Sequence, residues 1–170
     1  MSSKLIALLG GLLLLAACSS PPPRPPGPGP GPGAYGGVVP PGGPGGVSSQ
    51  AVPGSQQDLA QTAGDRVLFA FNRSDISPQA QQTLTRQAAW LRRYPNVVVR
   101  IEGHCDERGT REYNLALGAR RAAATENVLV ALGIPASRIS TISYGKDRPI
   151  VLGSNEAAWA QNRVAITDVQ

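Results

Sequence analysis

From residue 66 onward the chain switches repeatedly between two hydrophobic periods. Residues 66–71 read RVLFAF, a short apolar run rich in strand formers, and predict a strand. Ser77-Pro78 then offers a helix N-cap followed by proline at the first helical position. Ala80, Leu84, Ala88 and Leu91 recur on one helical face, and Pro95 disfavours helix at Tyr94. Residues 97–103, VVVRIEG, predict a second strand. A long helix should run from Thr110 or Arg111 to Leu132, with Leu115, Ala119, Ala122, Val128, Leu129 and Leu132 on its buried side. Gly133 and Pro135 stop it. Strands are expected at 139–144 and 164–169, and a short helix capped by Asn155 at 155–161. The order βαβαβαβ predicts an α+β or layered α/β domain over residues 65–170, with helices against one sheet.

The first 64 residues follow neither period. Residues 1–17 place Lys4 before an apolar run, Leu5 to Ala17, too short for a spanning helix of about 20 residues. They read as a secretory leader. Leu15-Ala16-Ala17-Cys18 resembles the lipobox of bacterial lipoproteins, which implies lipidation at Cys18. Ser19, rather than an aspartate, follows it, and in lipoproteins that favours the outer membrane. Residues 19–54 hold 12 of the 16 prolines and 11 of the 20 glycines. Such composition buries too little apolar surface to offset chain entropy, so residues 18–64 are expected to be a disordered tether. As a flexible coil it would reach roughly 35–40 Å, and as polyproline II roughly 145 Å.

The formal net charge is +5, and +4 once Lys4 leaves with the leader, from 15 basic and 11 acidic residues. That balance suits an anionic polymer or membrane face. Secretion argues against nucleic acid, and the Arg92-Arg93 and Arg120-Arg121 pairs are too short for a nucleic-acid stripe. Only two cysteines exist, so an acylated Cys18 leaves Cys105 without an intrachain partner.

Candidate chemistry gathers at Glu102–Ala122, EGHCDERGTREYNLALGARRA. Gly109 marks a tight turn, which puts His104 to Arg108 at the carboxyl end of a strand, where α/β sheets often bind ligands. Asn114 and Arg121 are seven apart and differ by about 20° around the helix, with Leu117 between them. Gly118 and the alanines allow close packing. Asp106 and Arg121 either pair with each other, or Asp106 and Thr110 cap the helix, or the two charges are held apart for a zwitterionic ligand. In that last case the carboxylate would meet an ammonium and the guanidinium would grip a carboxylate. No metal is expected, since one His and one free Cys fall short of a zinc set. Adjacent His104 and Cys105 point to opposite faces of an extended strand, so no hydrolytic dyad and no catalytic residue is assigned.

The same stretch closely resembles the signature of the OmpA-like peptidoglycan-binding domain family, and more narrowly its lipid-anchored Tol–Pal branch. Glu102, Gly103, His104, Asp106, Gly109, Tyr113, Asn114, Leu117, Gly118, Arg120, Arg121 and Ala122 carry the resemblance, with SYGKDRP at 143–149 and Asn162-Arg163 downstream. It implies non-covalent, cofactor-free binding of a peptidoglycan stem peptide centred on meso-diaminopimelate. Arg121 would take the carboxylate and Asp106 the ammonium, with Asn114, Leu117, Phe71 and Asn72 lining the site. It also implies TolB and other Tol proteins as partners, and roles in envelope integrity and cell division. A module serving mainly TolB, with weak or lost wall affinity, is the rival expectation. Three positions depart from the family pattern: Ala70 and Asn72 are neutral where acids are common, and Val164 stands where a second arginine is common.

Overall fold

A computed structural model describes residues 51–170. The leader, the lipidation expected at Cys18 and most of the expected tether lie outside the described residues. Those residues form α1 (Gln56–Thr62), β1 (Arg66–Leu68), α2 (Pro78–Arg93), β2 (Val99–His104), α3 (Arg111–Ala131), β3 (Ile139–Gly145), α4 (Glu156–Asn162) and β4 (Val164–Val169). The four strands lie in the order β1-β4-β2-β3. β2 and β3 are parallel, while β4 runs antiparallel to both β1 and β2. The sheet is therefore mixed, and the α+β expectation holds.

Local chemistry sets the helix starts. Ser77 Oγ accepts from Ala80 N, Thr110 Oγ1 from Tyr113 N, and Asn155 Oδ1 from Ala158 N. Each satisfies one of the amide donors that a helix start leaves without an internal partner. The α2 face forms as its period requires, with Ala80, Leu84, Ala88 and Leu91 all buried. They meet Val99 and Ile101 of β2 and Ala122 and Leu129 of α3 in one core.

Three features differ from the sequence expectation. β1 stops at Leu68 because residues 69–73 turn: Arg73 N donates to Ala70 O at 3.2 Å, and Asn72 has φ 56°. Ala119 is exposed. The buried stripe of α3 runs through Asn114, Leu117, Gly118, Arg121, Ala122, Thr125 and Leu129, and Ala119 sits about 100° past Gly118. Finally, α1 forms in a stretch that composition assigns to the tether. Its sequence QQDLAQT shows one large apolar residue, but that residue, Leu59, is 0% exposed within the core. Asp58 fastens the helix by accepting from Gly54 N at 2.8 Å and Trp90 Nε1 at 3.0 Å.

One contact fixes α3 against the sheet. A Cβ at Gly103 of β2 would lie 2.0 Å from Gly118 O, and one at Gly118 would lie 2.8 Å from Gly103 O. Only two glycines permit so close a backbone approach. Asn114 and Arg121 stand one turn to either side of it. The β2–β3 register shifts between Gly103 and His104, and there the chain leaves the strand to form the charged turn.

Candidate functional site

The turn after β1, the turn after β2 and the first half of α3 enclose a cleft of about 160 Å³. All six residues singled out from the sequence line it: Phe71 and Asn72, Asp106, and Asn114, Leu117 and Arg121. Arg108 and Tyr113 line it too. Among the described residues no group of three His, Cys, Asp or Glu could hold a metal ion.

Arg121 is the largest fully buried side chain, at 0% exposure. It does not pair with Asp106. Its Nε donates to Arg73 O at 2.9 Å, Nη1 to His104 O at 2.8 Å and Cys105 Sγ at 3.4 Å, and Nη2 to Ala70 O at 3.2 Å. A guanidinium has five N–H donors, so one on Nη2 is left without an acceptor among the described residues, in a side chain that lines the cleft. Among the described residues Arg121 forms no carboxylate ion pair, and neutral carbonyls solvate its charge without cancelling it. Burial lowers its pKa, but a guanidinium stays protonated regardless. The wall of the cleft is thus a fixed cation that feels the Asp106 charge but bonds no carboxylate among the described residues.

Asp106 is also buried, and two other arginines hold it. Arg108 grips it with Nη2 at 2.7 Å from Oδ2 and Nε at 3.2 Å from Oδ1, and Arg108 N donates to Oδ1 at 3.1 Å. Arg163 Nη1 approaches Oδ2 at 3.4 Å. Burial pushes the Asp106 carboxyl up, but the Arg108 hydrogen bonds and charge, with Arg163, outweigh it and hold the group below the usual carboxylate range. Arg163 in turn binds Phe69 O at 3.2 Å and Glu156 at 2.8 Å. Val164 is a fully buried β4 residue, so the arginine that reaches the site is Arg163 and the departure at 164 falls in the core.

The other residues frame these charges. Asn114 Nδ2 donates to Arg108 O at 2.8 Å and Thr110 O at 3.0 Å, tying the charged turn to the helix it precedes. Asn72 Oδ1 accepts from the Tyr113 hydroxyl, so its carbonyl is already engaged. Its positive φ suits asparagine, which tolerates the left-handed region better than most side chains. Leu117 is buried in the cleft wall rather than on its rim, whereas Phe71 is 57% exposed at the mouth. The Cys105 thiol is buried and its pKa raised by desolvation. His104 Nδ1 lies 3.0 Å from Arg148 O, and its buried Nε2 finds no hydrogen-bond partner, with Glu102 Oε2 3.7 Å away.

Sequence reading missed Arg108, Arg163 and Tyr113 as site residues. The signal for Arg108 was present, since it sits two residues from Asp106 on a turn. Arg163 is 57 residues away in sequence, and only the β2–β4 pairing brings it near.

The sequence matches the OmpA family over residues 68–163, and the chain belongs to that family. Its relatives share a more specific name. A peptidoglycan-associated lipoprotein of Agrobacterium fabrum is 58% identical over 122 residues, covering 72% of this chain and 69% of that protein. One from Pseudomonas aeruginosa is 43% identical over 161 residues, covering 94% of this chain and 92% of that protein. The crystal structure of the peptidoglycan-associated lipoprotein from Burkholderia pseudomallei aligns with TM-score 0.62 at 42% identity, over 64% of this chain and 92% of that chain. The C-terminal domain of Helicobacter pylori MotB, at 21% identity and TM-score 0.59 over 62% of this chain and 84% of that one, shares the fold alone.

Proposed function

We propose that this domain binds the stem peptide of peptidoglycan without covalent chemistry, taking the meso-diaminopimelate side chain into the Asp106–Arg121 cleft. With Cys18 lipidated in the outer membrane, it tethers that membrane to the wall from the periplasm. Kinship with peptidoglycan-associated lipoproteins supports the class of ligand. One observation carries the chemistry: Arg121, which lines the cleft, is a buried cation with no carboxylate partner and one unbonded N–H among the described residues. A ligand carboxylate would complete it, and the Asp106 carboxylate nearby would take an ammonium. Many weak contacts of this kind on one wall would hold a membrane by multivalency.

The test is titration calorimetry of the detergent-solubilised full chain with a meso-diaminopimelate tripeptide. A saturable heat in the parent, lost in Arg121→Lys with the fold intact, is expected. A folded parent that gives no heat overturns the reading. Phe71, exposed at the mouth, also suits a protein partner, and by family resemblance that partner is TolB. If the two share the mouth, excess tripeptide displaces TolB in a pull-down titration.

A further inference from the structure

The proposed function asks Asp106 to meet a ligand ammonium, yet in this structure its carboxylate is taken. Arg108 holds it through both oxygens. The Arg108 guanidinium also lies between two aromatic faces, with Cζ 4.1 Å from the Phe71 ring centroid and 4.2 Å from that of Trp159. Its side chain remains 32% exposed and lines the cleft. Such a slot fixes the plane of the guanidinium while leaving it free to exchange one coplanar carboxylate for another.

The charge count of the site limits what can be exchanged. Arg108, Arg121 and Arg163 supply three positive charges, and Asp106, Glu156 and Glu107, whose charge also acts on Arg108, three negative ones, so the empty site is balanced. A ligand bearing only an ammonium would raise this to +1. It would also release Arg108 from Asp106 with no new anion, leaving it between two rings with only the exposed Glu156 carboxylate, 3.8 Å from Nη1, beside it. A ligand end carrying ammonium and carboxylate on one carbon adds no net charge. Its ammonium can replace Arg108 on Asp106, and its carboxylate can take the freed Arg108 or the remaining N–H of Arg121.

Building on the proposed function, we infer that Arg108 is the specificity gate of the cleft. It stands in for the ligand cation on Asp106 when the site is empty, and it releases Asp106 only to a ligand that brings a carboxylate in exchange. The gate admits the zwitterionic end of a diaminopimelyl side chain and excludes the bare ammonium of a lysyl one. Losing charge-assisted hydrogen bonds of this kind costs roughly ten- to hundredfold in affinity, which is the discrimination expected of the parent.

The experiment titrates the detergent-solubilised full chain with two tripeptides, one containing meso-diaminopimelate and one lysine. Parent, Arg108→Ala and Arg108→Gln are compared, each with its thermal midpoint checked; the glutamine variant keeps polar bulk between the rings should alanine not fold. The parent should prefer the diaminopimelyl peptide at least about tenfold. Both variants should bring the ratio below about threefold, mainly because Asp106, freed of its stand-in, now accepts the lysyl ammonium. The Arg108 Nε–H resonance gives a second readout: it should shift with the first peptide and stay unchanged with the second. A parent that binds neither peptide overturns the proposed function. A parent that discriminates, with folded variants that discriminate equally well, overturns the gate alone.

Discussion

The Gly103–Gly118 contact makes a quantitative prediction whose sign separates two ideas. In an isolated helix, Gly118→Ala should stabilise by about 1 kcal/mol through helix propensity. Here the new Cβ would meet Ser143 Oγ at 2.3 Å and Gly103 O at 2.8 Å. Ser143 can rotate away, but it then gives up its bond to Leu115 O at 2.7 Å and the one from Gly145 N at 3.2 Å, about 1 kcal/mol each. Gly103 O cannot rotate, since it belongs to the β2 backbone. Helix α3 must lift by several tenths of an ångström, at an overpacking cost of about 1–3 kcal/mol. The net expectation is a loss of about 2–4 kcal/mol. Gly103→Ala should be worse, because its Cβ would lie 2.0 Å from a backbone oxygen and no side chain can yield. Urea unfolding of the full chain, followed by the fluorescence of Trp90 and Trp159, reads both. The lifted helix also carries Asn114 and Arg121, so tripeptide affinity should fall in step. A Gly118→Ala variant as stable as the parent, or more so, would refute the close-approach reasoning and leave propensity in charge.

Leu59→Ala should cost about 2–4 kcal/mol in the same assay, as for a fully buried leucine; no change would return α1 to the tether. Arg121→Lys should lower stability by about 2–4 kcal/mol, because an ammonium cannot reach three carbonyls on two segments at once. An unchanged urea midpoint would refute that role. Burial lowers the His104 pKa, so the fold favours the neutral ring. Stability should therefore be complete above the unfolded value of about 6.5 and decline as pH falls below it. His104→Asn, whose amide can still donate to Arg148 O, should flatten that slope in thermal midpoints between pH 7 and 5. The Asp106 carboxyl is depressed in the fold, so its contribution is present above about pH 4 and lost as pH drops through the lower folded value. Asp106→Asn should remove that acid-side loss.

The sequence announced most of the fold because local rules and tertiary packing agree. Ser77, Thr110 and Asn155 cap where their side chains can reach an N3 amide, and the α2 period buries the residues it marks. Helix α3 was harder to read. Its buried stripe contains an arginine, an asparagine, a glycine and a threonine, so apolar periodicity drifts toward Ala119, which faces solvent. Helix α1 was hidden for the opposite reason: one leucine in a polar turn gives no period, and its docking rests on distant partners, with Trp90 reaching Asp58 from 32 residues away and Gln56 bonded to the backbone of Thr167 and Val169. The six cleft residues were legible from motif and helical spacing. Their pairing was not. Asp106 and Arg121 sit 15 residues apart with opposite charges, which invites a salt bridge. The fold instead gives Arg121 the carbonyls of residues 70, 73 and 104, and gives Asp106 two other arginines.

The arginine clasp on residues 69–73 also has a mechanical meaning. A pull on the N-terminal side of residue 51 enters through α1 and then β1, a three-residue edge strand whose one strand partner in the sheet is β4. Beyond it, Arg163 holds Phe69 O, and Arg121 holds Ala70 O and Arg73 O. Helix and strand can peel one after the other like stitches, but the seam ends at a rivet driven from α3 and from the base of β4. Tension on the chain would thus shed its first elements and be arrested just short of the cleft, leaving the grip intact while the slack is taken up.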